Sequence, residues 1–374
     1  MLTYSLIALD WGRKYSAVKS VMRTAILYSE KMREYDLGHV LKGDRYERFM
    51  RLFREKLGDN PIFEVVEPGY ATEGELELVH TKEYIRRIER CESRDSHDTP
   101  LSRAIVRAAK LMAGAGKLAG ELVQSGTFSK AISIGGGVQH AGRNYEKGFG
   151  IFSDVGICAE NLMQNYAVKR TLILDTDAHA GDGIYEVFAR DPRVLFISIH
   201  QDPHTLYPGP GYGNPLGEGD GLGYSVNVPL LPGTGDLAYE YVLDEVFIPL
   251  AEEFHPEVII MVDGSDIHYS DRITHMGLTL QGIHMIGDKV SCTADRICQG
   301  KVVAFAGSGY DPDGILFPMG WLASICGLTG IELELEEPYP VPIQHTIDYP
   351  SQETRKIVEA LTATLAPYWK CFAP

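Results

Sequence analysis

The stretch Thr171-Leu172-Ile173-Leu174-Asp175-Thr176-Asp177-Ala178-His179-Ala180-Gly181-Asp182-Gly183 joins a short apolar, β-branched run to a loop of acids, imidazole and glycine. Residues 171–174 read as a buried strand, because a run of this kind bounded by turn residues suits a strand covered on both faces. If the strand runs on, Asp175, Asp177 and His179 share one side, since side chains alternate along a strand. A carboxylate and an imidazole two residues apart offer oxygen and nitrogen to zinc and its neighbours. Each alone could be a capping aspartate or a hydrogen-bonded core histidine. Three of them at a strand end, entering a glycine turn, favour a site.

The same grammar repeats on either side. Residues 131–134, 194–199, 224–228, 258–262 and 302–306 also read as buried strands. Helical periodicity lies at 45–57, 81–90, 102–124, 154–166, 236–253, 279–299 and 351–365, several opened by a capping Ser, Thr or Asp. This alternation predicts an α/β fold with a parallel sheet covered by helices, in a chain whose length allows one domain or two. Glycine and proline gather after the strands, at Gly135-Gly136-Gly137, Gly181-Asp182-Gly183, residues 203–223 and Gly307-Ser308-Gly309. In open parallel sheets the ligand sits beyond the carboxyl ends of the strands, so one site assembled from these loops is expected. After 258–262 comes Asp263-Gly264-Ser265-Asp266, then Asp271. Asp266 could complete an Asp, His, Asp set for a catalytic metal that keeps a fourth position open; capping of the next turn is the alternative.

Composition narrows the class of function. The chain has 374 residues, 44% hydrophobic and 23% charged, which excludes a disordered, collagen-like or coiled-coil chain. Lys plus Arg number 35 against 51 Asp plus Glu, a net charge of −16 that repels nucleic acid and acidic membrane surfaces. No run approaches the roughly 18 apolar residues of a membrane span, and charges interrupt the first segment, so a cytoplasmic protein is expected. The six cysteines are scattered without a CxxC pair, which argues against a zinc ribbon or a disulfide framework.

Several ordered blocks resemble the histone deacetylase family, which includes acetylpolyamine amidohydrolases and acetoin-utilisation proteins. Gly136-Gly137-Val138-Gln139-His140-Ala141 is similar to its GG-x-HHA, Gly148-Phe149 with Asp154 to its GF…ND, and residues 175–183 to its DxDxHxGDG. Ser198-Ile199-His200, Tyr207-Pro208-Gly209, Asn227-Val228-Pro229, Gly264-Ser265-Asp266 with Asp271, and Gly307-Ser308-Gly309-Tyr310 follow in the family's order. The resemblance implies a three-layer α/β/α arginase/deacetylase-type fold with a central, mostly parallel sheet, in a single deacetylase-like domain spanning 1–374. It implies a zinc-dependent deacetylase that hydrolyses an N-acyl amide, with one divalent metal on Asp177, His179 and Asp266; Fe2+ or Co2+ suits the same ligands. His140 matches the second histidine of the family dyad, general base and then acid, with Asp182 orienting it and Tyr310 as oxyanion donor. Phe149, Tyr207 and Gly148 match an acyl-lysine tunnel, with Ile273 at its floor or rim. Asp98 matches a rim aspartate that holds the substrate backbone, although a turn residue before Pro100 is an equally simple reading. Asp175 and Ser198, with main-chain oxygens of Asp177, His179 and Ile199, match a structural monovalent-cation site, usually K+.

Two departures stand out. Gln139 occupies the place of the first dyad histidine, and an amide neither takes up nor releases a proton near neutral pH. The family's amino-terminal HPLKP-like stretch is altered to His39-Val40-Leu41-Lys42-Gly43. An acylated small-molecule amine or peptide is the implied partner. Gln139 keeps open a non-catalytic acyl-amine binding protein of the same fold. A binuclear ureohydrolase is disfavoured, because Gly181 stands where a further metal carboxylate is needed.

Overall fold

The computed structural model describes residues 23–93, 98–311, 313–342 and 351–373. Eight strands form one sheet among these residues: β1 (Thr24–Leu27), β2 (Phe63–Val66), β3 (Lys130–Ile134), β4 (Thr171–Asp175), β5 (Val194–Gln201), β6 (Ser225–Leu230), β7 (Val258–Gly264) and β8 (Val302–Ser308). Their order is β2-β1-β3-β8-β7-β4-β5-β6, and every pairing is parallel. All carboxyl ends therefore lie along one edge. The loops after β3, β8, β7, β4 and β5, five neighbours in the sheet, emerge side by side there.

The helices are α1 (Arg45–Leu57), α2 (Glu73–Leu76), α3 (Lys82–Glu89), α4 (Arg103–Gln124), α5 (Asp154–Asn165), α6 (Asp182–Phe188), α7 (Asp236–Val242), α8 (Ile248–Phe254), α9 (Leu280–Ile297), α10 (Leu316–Thr329) and α11 (Gln352–Leu365). They cover both faces of the sheet, and the interior strands β3, β4, β5, β7 and β8 are buried along their whole length. None of the described helices is long and apolar enough to cross a membrane.

Two local expectations change, and one helix was not foreseen. The helix expected at 236–253 is interrupted by a π turn over Leu243–Phe247. Pro249 follows, and a proline ring cannot accommodate the carbonyl four residues before it, so the wider turn takes up the conflict. The strand through Thr171 ends at Asp175, so Asp177 and His179 belong to a loop and do not continue its alternation. Helix α10 lacks a periodic signal because it is apolar all round and lies inside the protein, with Trp321 fully buried.

The turn after β3 shows how the fold sets the site. Gly137 has φ +86° and its N–H donates to Asp154 Oδ2 at 2.9 Å, while the Val155 N–H donates to Oδ1 at 2.9 Å. Burial raises the Asp154 pKa to about 7, although these two N–H groups pull the other way. The unfolded chain releases this proton near a pKa of about 4, so the folded state binds more protons across the interval and its stability falls as pH rises. Asp154→Asn cannot ionise. Its melting temperature relative to the unmodified protein should therefore improve from about pH 5 to pH 8 in calorimetry. A flat or falling difference would contradict this environment for Asp154.

Candidate active site

The acid and imidazole groups after β4 converge through side-chain-to-backbone turns. The Asp177 N–H donates to Asp175 Oδ1 at 3.2 Å, and the His179 N–H donates to Asp177 Oδ1 at 2.7 Å. Asp266, from the loop after β7, accepts the Ala178 N–H at 3.1 Å, while its own carbonyl takes the Thr274 hydroxyl. His179 Nδ1 then lies 2.9 Å from Asp177 Oδ1 and 3.1 Å from Asp266 Oδ2. One ligand atom from each of the three lies within 4.8 Å of the others, and all three residues are buried.

Burial presses the His179 imidazole towards neutrality, but its bonds to Asp177 and Asp266 outweigh that and hold its pKa up. Burial would likewise raise Asp177, yet His179 pulls it below the usual carboxylate range. A buried trio of two acids and one imidazole leaves a negative charge with little solvent around it, which a cation relieves. Two carboxylate oxygens and one imidazole nitrogen fit zinc, iron or cobalt, so the residues present suit a divalent metal.

Beside this trio stand Gln139 and His140. The Gln139 carbonyl accepts the Gly183 and Ile184 N–H groups at 3.1 and 3.3 Å, which fastens the loop after β3 to the first turn of α6. Asp182 opens that helix, and its Oδ1 lies 2.6 Å from His140 Nδ1. Burial works against ionisation of Asp182, but His140 and then Lys147 keep its pKa low. An ionised Asp182 accepts from Nδ1, leaving His140 Nε2 for the cavity. Gln139 Nε2 reaches the His179 carbonyl at 3.4 Å.

A narrow cavity of about 250 Å³ leads to these groups, and Asp98, Gly148, Phe149, Tyr207, Ile273 and Tyr310 all line it. Tyr207 meets the His140 ring edge-on at 4.9 Å, and Phe149 faces Tyr310 at 5.9 Å. Tyr310 is clamped through its backbone, its N–H donating to Asp271 Oδ2 at 2.7 Å and its carbonyl accepting from Arg272 at 3.1 Å. Burial and then the charges of Asp177 and Asp266 hold the Tyr310 pKa far above its ordinary value, so its hydroxyl remains a donor. At the rim, Asp98 Oδ1 accepts the Thr99 hydroxyl at 2.8 Å and the Asp98 carbonyl lies 3.0 Å from His39 Nε2.

Behind the trio, Asp175 Oδ2 accepts the Ser198 hydroxyl at 3.1 Å, and the Ile199 carbonyl accepts Tyr239 at 3.0 Å. The residues expected to surround a monovalent cation are thus neighbours. Sequence reading passed over Leu206 and Lys147, and named Ser308 and His39 only within longer motifs, with no role of their own. Leu206 and Ser308 line the cavity. His39 packs on Phe149 at 5.0 Å, and Lys147 pairs with Asp182.

A model of the histone deacetylase domain matches residues 39–321. The chain belongs to the histone deacetylase family. It is 35% identical over 367 residues to a probable deacetylase of Archaeoglobus fulgidus, covering 94% of this chain and 100% of that protein. It is 33% identical over 322 residues to the acetoin utilization protein AcuC of Staphylococcus xylosus, covering 82% and 83% respectively. The crystal structure of the HDA15 HD domain superposes with a TM-score of 0.83 at 25% identity, covering 95% of this chain and 97% of that one. The histone deacetylase fold is therefore the architecture found here, with a sheet that is parallel throughout.

One divalent metal per chain is expected from the Asp177, His179 and Asp266 set. Elemental analysis finding two equivalents, or none retained after zinc reconstitution, would contradict it. Asp266→Ala should abolish metal retention without unfolding the protein. Because His179 holds a proton that a metal must displace, zinc affinity should weaken as pH falls.

Proposed function

We propose that this histone deacetylase family member is a zinc-dependent amidohydrolase that removes an acetyl or other short acyl group from an N-acylated amine. The observation that carries this reading is the convergence of a buried Asp-His-Asp set, an Asp-supported histidine and a protonated tyrosine at the end of one narrow cavity. A divalent metal held by Asp177, His179 and Asp266 supplies Lewis acidity, polarising the acyl carbonyl and making water a competent nucleophile near neutral pH.

The chain's own residues do the rest. His140 takes a proton from the attacking water and delivers it to the departing nitrogen as the C–N bond breaks, with Asp182 keeping the ring oriented. Tyr310 donates to the oxygen on which charge develops. Phe149 and Tyr207 flank an extended acyl-aminoalkyl chain, and Asp98 holds the cationic or peptide remainder at the rim. Gln139 positions water by hydrogen bonding and carries no proton. Gln139 also motivates the second reading, a non-catalytic acyl-amine binding protein. Against that reading stand His140, Asp182 and Tyr310, because binding alone requires neither a base nor an oxyanion donor.

Turnover of a fluorogenic acetyl-lysine substrate by the zinc-reconstituted chain separates the two readings. N-acetyl-lysine peptides or acetylated polyamines should be cleaved; cleavage of short anionic amides alone would contradict the substrate class. Tyr310→Phe should lower kcat by roughly 10²–10³ with metal content unchanged, and full retention of kcat would remove Tyr310 from the chemistry. Gln139→His should leave metal binding intact and keep or raise activity, whereas His140→Gln should nearly eliminate it. The opposite pattern would overturn the roles given to this pair.

A further inference from the structure

Lys147 begins a tight turn. Its N–H donates to the Gly150 carbonyl at 3.0 Å and the Gly150 N–H returns to the Lys147 carbonyl at 2.8 Å. Gly148 (φ +53°) and Phe149 (φ +69°) are both left-handed, as the central residues of a type I′ turn must be. A side chain at position 148 would collide with the His140 ring. The turn places the Phe149 ring in the tunnel wall and brings the Lys147 ammonium to Asp182.

Asp182 is thereby held at both oxygens, Oδ1 by His140 Nδ1 at 2.6 Å and Oδ2 by Lys147 Nζ. The Asp182 side chain is only 12% exposed. An ion pair exposed at both ends contributes little, but here the carboxylate end lies largely out of water, where a charge-assisted bond orients strongly. The same ammonium stands 5.2 Å from the centre of the Tyr207 ring, which itself meets His140 edge-on. Lys147, Asp182, His140 and Tyr207 thus form a closed set of contacts joining the proton-handling side chain to the tunnel wall.

We propose that Lys147 is a positioning residue for His140. It fixes the second oxygen of the Asp182 carboxylate, which His140 alone holds at one oxygen only, in the orientation that sets the tilt and tautomer of the imidazole. The inference rests on His140 being the base and acid of the proposed reaction. Gln139 makes the device necessary, because all proton handling then falls on one ring whose support is one carboxylate.

The test uses the full zinc-reconstituted chain, an acetyl-lysine peptide, and the variants Lys147→Met, Lys147→Arg and His140→Gln. Lys147→Met should lower kcat roughly ten- to a hundredfold with KM unchanged, the effect of losing one charge-assisted bond. Lys147→Arg should restore most of kcat, since a guanidinium reaches the same carboxylate. In metal-free protein labelled with 15N-histidine, the His140 Nδ1 proton resonance, assigned by its loss in His140→Gln, should move in Lys147→Met and return in Lys147→Arg. An unmoved resonance, or an unchanged kcat in Lys147→Met, would overturn the role of Lys147. If His140→Gln itself keeps full activity, the functional reading fails instead.

Discussion

Two carboxylates and an imidazole packed together at the buried end of a narrow cavity, with one ligand atom from each within 4.8 Å of the others, constrain everything around them. Such a group is tolerated only if each atom has a partner and the surplus charge has a counterion. The sheet meets the first demand by delivery. Strands β4 and β7 pair with Asp175 opposite Val262, so the loop carrying Asp177 and His179 and the loop carrying Asp266 leave the sheet at the same height. The Ala178 N–H then locks one loop to the other through Asp266.

The opposite wall of the site is tied down by different means. The amino-terminal turn of α6 binds the Gln139 carbonyl and presents Asp182 to His140, so one short helix fixes both the backbone and the imidazole of the loop after β3. Asp271 and Asp154, both buried carboxylates, accept backbone N–H groups at Tyr310 and Gly137, which ties down the loop after β8 and gives the loop after β3 a second hold. Precision here comes from acids that accept from main chain, which is how groups on loops become as rigid as groups on strands.

Much of this was legible in the sequence, and the exceptions have physical reasons. The interior strands showed as continuous apolar runs, yet several extend further than their apolar residues, through Asp175, Gln201, Gly264 and Ser308. Those polar ends look like loop by composition and are where the site begins. β1 and β2 are only four residues each, too short for a pattern to declare itself. Asp177 and His179 were picked out by expecting strand alternation where turns do the work, and Asp266 only as the third member that a metal's ligand set would need. Lys147 escaped notice because its partner Asp182 lies 35 residues on and no spacing rule links a turn lysine to a helix-opening acid. His39 was noticed only as part of an altered stretch, and its contact with Phe149 depends on how the chain before α1 wraps the rim.

Anomalous scattering from zinc-loaded crystals tests the central claim most directly. A single peak within bonding distance of Asp177, His179 and Asp266 is the predicted result. A peak elsewhere, or a pair of peaks about 3.5 Å apart as in binuclear hydrolases, would contradict it.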